Sequence, residues 1–142
     1  FATGKRIEKA VYQGEEAWAN DYQELRKPTV NFAESQSANL GAYVKGLGGS
    51  ASNYLEWRNV YSVKGGQYTL SIRYAAEKPC GMTLIVNNAD AQTKSDLSSG
   101  SEQDNWNTVD FKVTLKKGLN TVRLSNATMA MPNIDCMTVK AI

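Results

Sequence analysis

The strongest constraint on this chain is an alternation of apolar and polar residues in runs too short for helices. Tyr68-Thr-Leu-Ser-Ile-Arg-Tyr74 and Val109-Asp-Phe-Lys-Val-Thr-Leu115 each send every second side chain to one face. A period of two marks a strand with one side on a core. Met82-Thr-Leu-Ile-Val86 and Thr121-Val-Arg-Leu124 continue the pattern, and Tyr54-Leu-Glu-Trp57 and Val60-Tyr-Ser-Val63 add two runs rich in β-formers. Turn signals separate them: Gly65-Gly66, Asn87-Asn88 and Lys116-Lys-Gly-Leu-Asn120. Short strands at regular spacing, without long helical patterns between them, predict an all-β fold, a β-sandwich of two antiparallel sheets.

Length and charge narrow the function classes. The 142 residues suit one domain, large enough to bury a core without staples. A net charge of +2, with basic residues interleaved among acids, argues against nucleic acid as a partner. There is no histidine, the commonest general base and the commonest ligand for zinc, iron and copper. A bound metal is therefore expected to be a hard, oxygen-ligated ion such as calcium. No apolar run approaches membrane-spanning length, so no membrane partner is expected. Cys80 and Cys136 fit either one disulfide or two buried thiols, since a domain of this size does not need the bridge.

Along the chain, residues 1–11 read as a linker or the end of a preceding unit, and 12–142 as the sandwich. The start at Phe1, without methionine or signal peptide, reads as an excised piece. Residues 9–26 could hold a helical turn, although strand or loop fits better. The polar stretch Ser95–Asn105 reads as a long solvated loop that delivers Trp106 to a partly exposed position. Beyond the hairpin 109–124 come Asn133 and Asp135, just before the last strand. Strands fix such a scaffold, and the loops at one end offer an aromatic platform, an amide and a carboxylate.

Several fragments, in this order and spacing, resemble the carbohydrate-binding modules of families 6 and 35, β-jelly-roll domains attached to glycoside hydrolases. Tyr12-Gln-Gly-Glu-Glu-Ala17 is similar to the opening acidic motif of those modules, and Gly41-Ala-Tyr-Val44 to the first binding loop. Asn53-Tyr-Leu-Glu-Trp57 with Gly66-Gln-Tyr-Thr-Leu70 resembles the central hairpin. Trp106-Asn-Thr-Val109, Leu115–Thr121 and Pro132-Asn-Ile-Asp135 complete the set, which spans roughly residues 12–141. Tyr22-Gln-Glu-Leu25 with Glu56-Trp-Arg-Asn-Val-Tyr61 looks most like the module that follows the catalytic domain of bacterial family 27 α-galactosidases. The resemblance implies a secreted, periplasmic or cell-surface bacterial protein, a monomeric module covalently linked to a glycosidase domain.

The resemblance also implies roles for individual residues. It carries a structural calcium onto Gln13, Glu15 and Asp135, which approach one another if the first and last strands lie side by side. Gln13 stands where the motif has its first acid, which lowers the ligand charge. The alternative is that Glu15 and Glu16 are solvated and that Asp135 accepts hydrogen bonds from a turn; with no basic neighbour in sequence, a buried Asp135 needs a counter-charge. For the sugar, a pyranose has an apolar C–H face and a rim of hydroxyls, so it calls for a flat ring and a few directed hydrogen bonds. The resemblance places Tyr43 and Trp106 under the ring and Asn133 on the hydroxyls. Lys45 and Asn53 are adjacent candidates, Lys45 either merely solvated or paired with a uronate carboxylate. Trp57, in a strand, is expected in the core, while Trp18 is left undecided.

Three functions compete. One is a non-catalytic module that binds a galactose- or uronate-containing glycan. Another is a ligand-free sandwich that packs against or spaces the catalytic domain. The third, catalysis, fails for want of parts: glycoside cleavage needs two facing carboxylates, and a cysteine nucleophile here lacks a histidine.

Overall fold

The computed structural model describes residues 8–20, 31–89, 91–100 and 105–142. Two antiparallel sheets form a sandwich of jelly-roll type, as the alternation predicts. The strands are β1 (Val11–Gln13), β2 (Trp18–Asn20), β3 (Asn31–Glu34), β4 (Ala42–Lys45), β5 (Tyr54–Ser62) and β6 (Gly66–Ala75). They continue with β7 (Cys80–Val86), β8 (Ala91–Leu97), β9 (Asn107–Leu115), β10 (Gly118–Ser125) and β11 (Asn133–Ala141). One sheet runs β3-β4-β11-β6-β9, and the other runs β2-β5-β10-β7-β8. β1 lies beside β11, with Gln13 opposite Cys136, on the edge that β4 uses where Val44 meets Ile134. The first and last strands are thus neighbours.

The inward positions make one core. Leu70 and Ile72 from β6, Phe111 and Leu115 from β9, Leu84 from β7, Leu124 from β10 and Ile134 from β11 are all excluded from solvent. Trp57 sits among them, fully buried, with its indole N–H donating to the Gln13 carbonyl at 2.8 Å. That bond satisfies the one polar atom the ring takes inside. The turn between β7 and β8 carries Asn87 and Asn88 at φ +53° and +57°, a pair of left-handed residues that matches the twist of a tight hairpin. Asn120 is 1% exposed and donates to the carbonyls of Val60, Lys116 and Gly118, while its Oδ1 accepts from the Lys116 N–H and Asn87 Nδ2. One side chain therefore closes the β9–β10 turn and ties it to β5 and to the β7–β8 turn.

Some local expectations need correction. Residues 54–63, read as two runs, form one strand to Ser62, with a bulge in its pairing to β10. The 9–26 stretch holds β1, a 3-10 turn at Gly14–Glu16 and β2; Tyr22–Leu25 lies outside the described residues. The loop expected from Ser95 starts later, because β8 runs on to Leu97, which pairs with Cys80 beyond a bulge at Ser95 and Asp96 and is drawn into the core; residues 101–104 of that loop are not among those described. Cys80 and Cys136 are free thiols, which settles the open alternative against a bridge. Among the described residues no helix is long and apolar enough to cross a membrane.

Candidate functional site

Alternation on β4 decides how Tyr43 is used. Val44 joins the core, so Tyr43, one position earlier, turns to the outer face of the same sheet. It is a strand residue, not the residue of a binding loop that the resemblance implied, and it is only 6% exposed. What covers it is Trp106. The two ring centroids lie 5.3 Å apart at an interplanar angle of 73°, an edge-to-face pair. Trp106 immediately precedes β9 and is half-buried, with its Nε1 donating to the Ser37 hydroxyl at 2.7 Å. The Arg73 guanidinium lies 5.2 Å from the Trp106 centroid. The indole is thus held by a phenol, a hydroxyl and a cation and keeps part of its surface open.

Arg73 and Ser37 have no place among the residues picked from sequence. Arg73 takes an outward position of β6 and donates through Nη1 to the Ser37 carbonyl at 3.0 Å and to the Asp135 carboxylate. Asp135 is fully buried, and both its oxygens accept from the backbone N–H of Asn39 at 2.9 Å. The expectation that Asp135 lacks a basic neighbour holds in sequence and fails in space. Arg73, 62 positions away, supplies the counter-charge.

Next to this pair is an oxygen-rich corner. Gln13 donates through Nε2 to Asn39 Oδ1 at 2.7 Å, while its Oε1 is buried without a hydrogen-bond partner. Oε1 of Glu15 is buried and unpartnered as well. Desolvation pushes the Glu15 carboxyl above its ordinary range, and the nearby Asp135 charge adds to the push. Two orphaned acceptors beside a buried carboxylate suit a hard cation with oxygen ligands. No three Asp, Glu, Cys or His side chains gather into a metal cluster among the described residues. Any such site would draw on the Gln13 amide oxygen and on backbone carbonyls as well.

The other candidates divide. Asn133 opens β11 opposite Ala75 and is half-buried. Lys45 ends β4 with an exposed side chain. Asn53 is buried, and its Nδ2 donates to the Gly46 and Gly48 carbonyls at 2.9 Å each, which fixes the loop after β4. Trp18 is 44% exposed on the opposite sheet, far from this group in the strand order, with Arg58 stacked 4.3 Å from its ring centroid. It caps the outer face of β2 and β5, where buried Glu56 also holds Arg58 and Arg123.

Comparison with known proteins decides the family. The model of the family 35 carbohydrate-binding modules matches residues 26–137. The chain belongs to that family. A solved family 35 module from Clostridium thermocellum is similar at 24% identity with a TM-score of 0.82, over 92% of this chain and 98% of the other. An exo-β-1,3-galactanase from Phanerochaete chrysosporium, solved with β-1,3-galactotriose, has a TM-score of 0.77 at 17% identity; 95% of this chain overlays 30% of that enzyme. In sequence, an isomaltosyltransferase of Sporosarcina globispora is 38% identical over 65 residues, 45% of this chain and 6% of the relative's length. The chain is thus a carbohydrate-binding module whose relatives include domains of much larger carbohydrate-active enzymes. Such modules bind; they are not the catalytic part.

Proposed function

We propose that this module holds a galactosyl- or uronosyl-containing glycan on the Trp106 platform, for the benefit of a covalently linked glycosidase. The observation that carries the reading is the state of Trp106: a half-open indole fixed from three sides, in a module whose family binds sugars. A ring locked before ligand arrives loses little entropy on stacking. Because Tyr43 is covered, it supports the indole edge-on while Trp106 meets the sugar. Asn133 offers its amide to hydroxyls, Lys45 stands at the rim for a uronate carboxylate, and Asn53 serves by shaping the 46–48 turn. One ring with a few hydrogen bonds supports a Kd of ~0.1–1 mM, roughly −4 to −5.5 kcal/mol. Tethering makes such affinity useful through effective concentration.

Calcium belongs to the same proposal. Gln13, Glu15 and Asp135 would hold it, and its charge would neutralise the desolvated Glu15 carboxylate and brace β1 against β11. Residues 1–11 would lead in from a preceding unit, with Glu8 to Val11 laid along the sandwich: Glu8 accepts from the Val63 N–H, and the Ala10 carbonyl from Val139. A secreted, periplasmic or cell-surface location, a monomeric state and a glycoside hydrolase parent complete the reading, the last supported by the enzymes that carry similar domains.

The test is a titration of the 142-residue chain with galactose, glucuronic acid, isomaltose, xylan and galactomannan, followed by tryptophan fluorescence. A saturable change in at least one is expected. Silence in all of them, with calcium present, would leave the module as a spacer.

A further inference from the structure

Beside Asn133, at the rim that also carries Trp106, is a groove of about 330 Å³ between the segments 75–80 and 129–133. Lys78, Cys80, Met129 and Pro132 line it together with Ala75 and Asn133. Strand pairing sets it beside the platform. Asn133 pairs with Ala75, and the residue before Ala75, Tyr74, pairs with Asn107, directly after Trp106. Alternation puts Ala75 and Asn133 on the outer face, since Tyr74 and Ile134 go to the core.

One wall of the groove is an anomaly. Met129 is a large apolar side chain 60% exposed on a loop, yet its backbone is held from both sides. Its N–H donates to Asn126 Oδ1 at 3.0 Å, and its carbonyl accepts from the Gly49 N–H at 2.7 Å. Asn126 is itself fastened to the Gly81 carbonyl, and Met131 N–H to the Leu47 carbonyl. Gly48, at φ +87°, lets the two loops close; a Cβ there would stand 2.6 Å from the Met129 carbonyl oxygen. So the fold fixes a soft, polarisable thioether in solvent next to a carbohydrate platform. A thioether packs well against the C–H face of a sugar, and the groove volume is at the lower end of the range of small-ligand sites.

We propose that the binding site is longer than one sugar ring: the groove walled by Met129, Lys78 and Pro132 takes the next residue of an oligosaccharide whose first ring lies on Trp106, with Asn133 between the two. The inference rests on the platform reading above and extends it to a substrate class, a glycan of at least two linked residues in preference to a free monosaccharide. Calorimetric titration of the whole chain with galactose against β-1,3-galactotriose, and glucose against isomaltotriose, tests it. For the pair that binds, the trisaccharide is expected to bind at least tenfold more tightly. Methionine-methyl NMR of the unmodified protein should show the Met129 signal moving with the trisaccharide and staying in place with the monosaccharide. Met129→Ala should bring the trisaccharide Kd at least fivefold toward the monosaccharide value. Equal Kd values for the two ligands would overturn the longer site and leave the Trp106 platform intact, as would a tighter trisaccharide that leaves the Met129 methyl unmoved. Were none of the four sugars to bind, the longer site would fall, and with it the galactosyl arm of the platform reading, while the uronosyl arm would stand or fall on the glucuronic acid titration.

Discussion

Trp106→Ala removes a ring that covers Tyr43 and stacks with Arg73, and no part of the sealed core goes with it. The edge-to-face pair is worth about 0.5–1.5 kcal/mol, so the variant should stay folded, with a melting temperature only a few degrees lower. Its sugar affinity should drop at least tenfold in a calorimetric titration. A variant that melts as expected and still binds would take the platform away from Trp106. Glu15 permits a sharper test at the same scale. Its carboxyl pKa is raised by burial, so the stabilising term is present below the ordinary carboxyl value and lost as pH rises through the folded one. At neutral pH the bare carboxylate therefore costs stability unless a cation sits beside it. Glu15→Gln should raise the melting temperature in excess EDTA and abolish any increment from added calcium. A wild-type protein whose melting is indifferent to both EDTA and calcium would count against the metal.

The β9–β10 turn shows what the elements owe to single side chains. Asn120→Ala would strand the Val60 carbonyl in a buried site and take their partner from the part-buried carbonyls of Lys116 and Gly118 and the Lys116 N–H. Each lost partner costs about 1–3 kcal/mol. With some relaxation we expect a total near 3 kcal/mol in urea unfolding, and less than 1 kcal/mol would mean that water enters the turn. The strands were legible beforehand because alternation is local: β6, β7, β9 and β10 all fall where period two puts them. Legibility ended where partners meet across the sandwich. Tyr43 reads as part of a binding loop in sequence because its cover, Trp106, arrives from a distant segment. Arg73 looked like one more polar position of an alternating strand, and only the β6–β11 pairing reveals it as the counter-charge of Asp135. The pinned exposure of Met129 depends on Asn126, Gly48 and Gly49 together, and no spacing rule links them. Trp57, by contrast, was readable as core from its strand alone.

For the molecule as a whole, high pH is the expected weakness. Burial pushes the Cys136 thiol up to about 11, and it raises Cys80, Tyr12 and Tyr74 as well. All four are neutral when protonated, so the unfolded chain gives up their protons first. Stability is full below about pH 9 and falls as pH climbs toward 11, by about 1.4 kcal/mol per pH unit for Cys136 alone. Urea midpoints at pH 8, 9.5 and 10.5, taken with reductant present, should decline in that order, and Cys136→Ala should flatten the slope. A flat profile in the unmodified protein would show that these groups titrate alike in both states.

β1 runs antiparallel to β11, with Ala10 bonded to Val139, whereas Trp106 and Asn133 gather where β11 starts. Six residues of extended strand separate the two, roughly 20 Å. Ala10 and Val139 therefore mark one pole, and the proposed glycan rim occupies the other. A domain joined at that pole would sit behind the module and leave the proposed rim open to a polysaccharide approaching head-on.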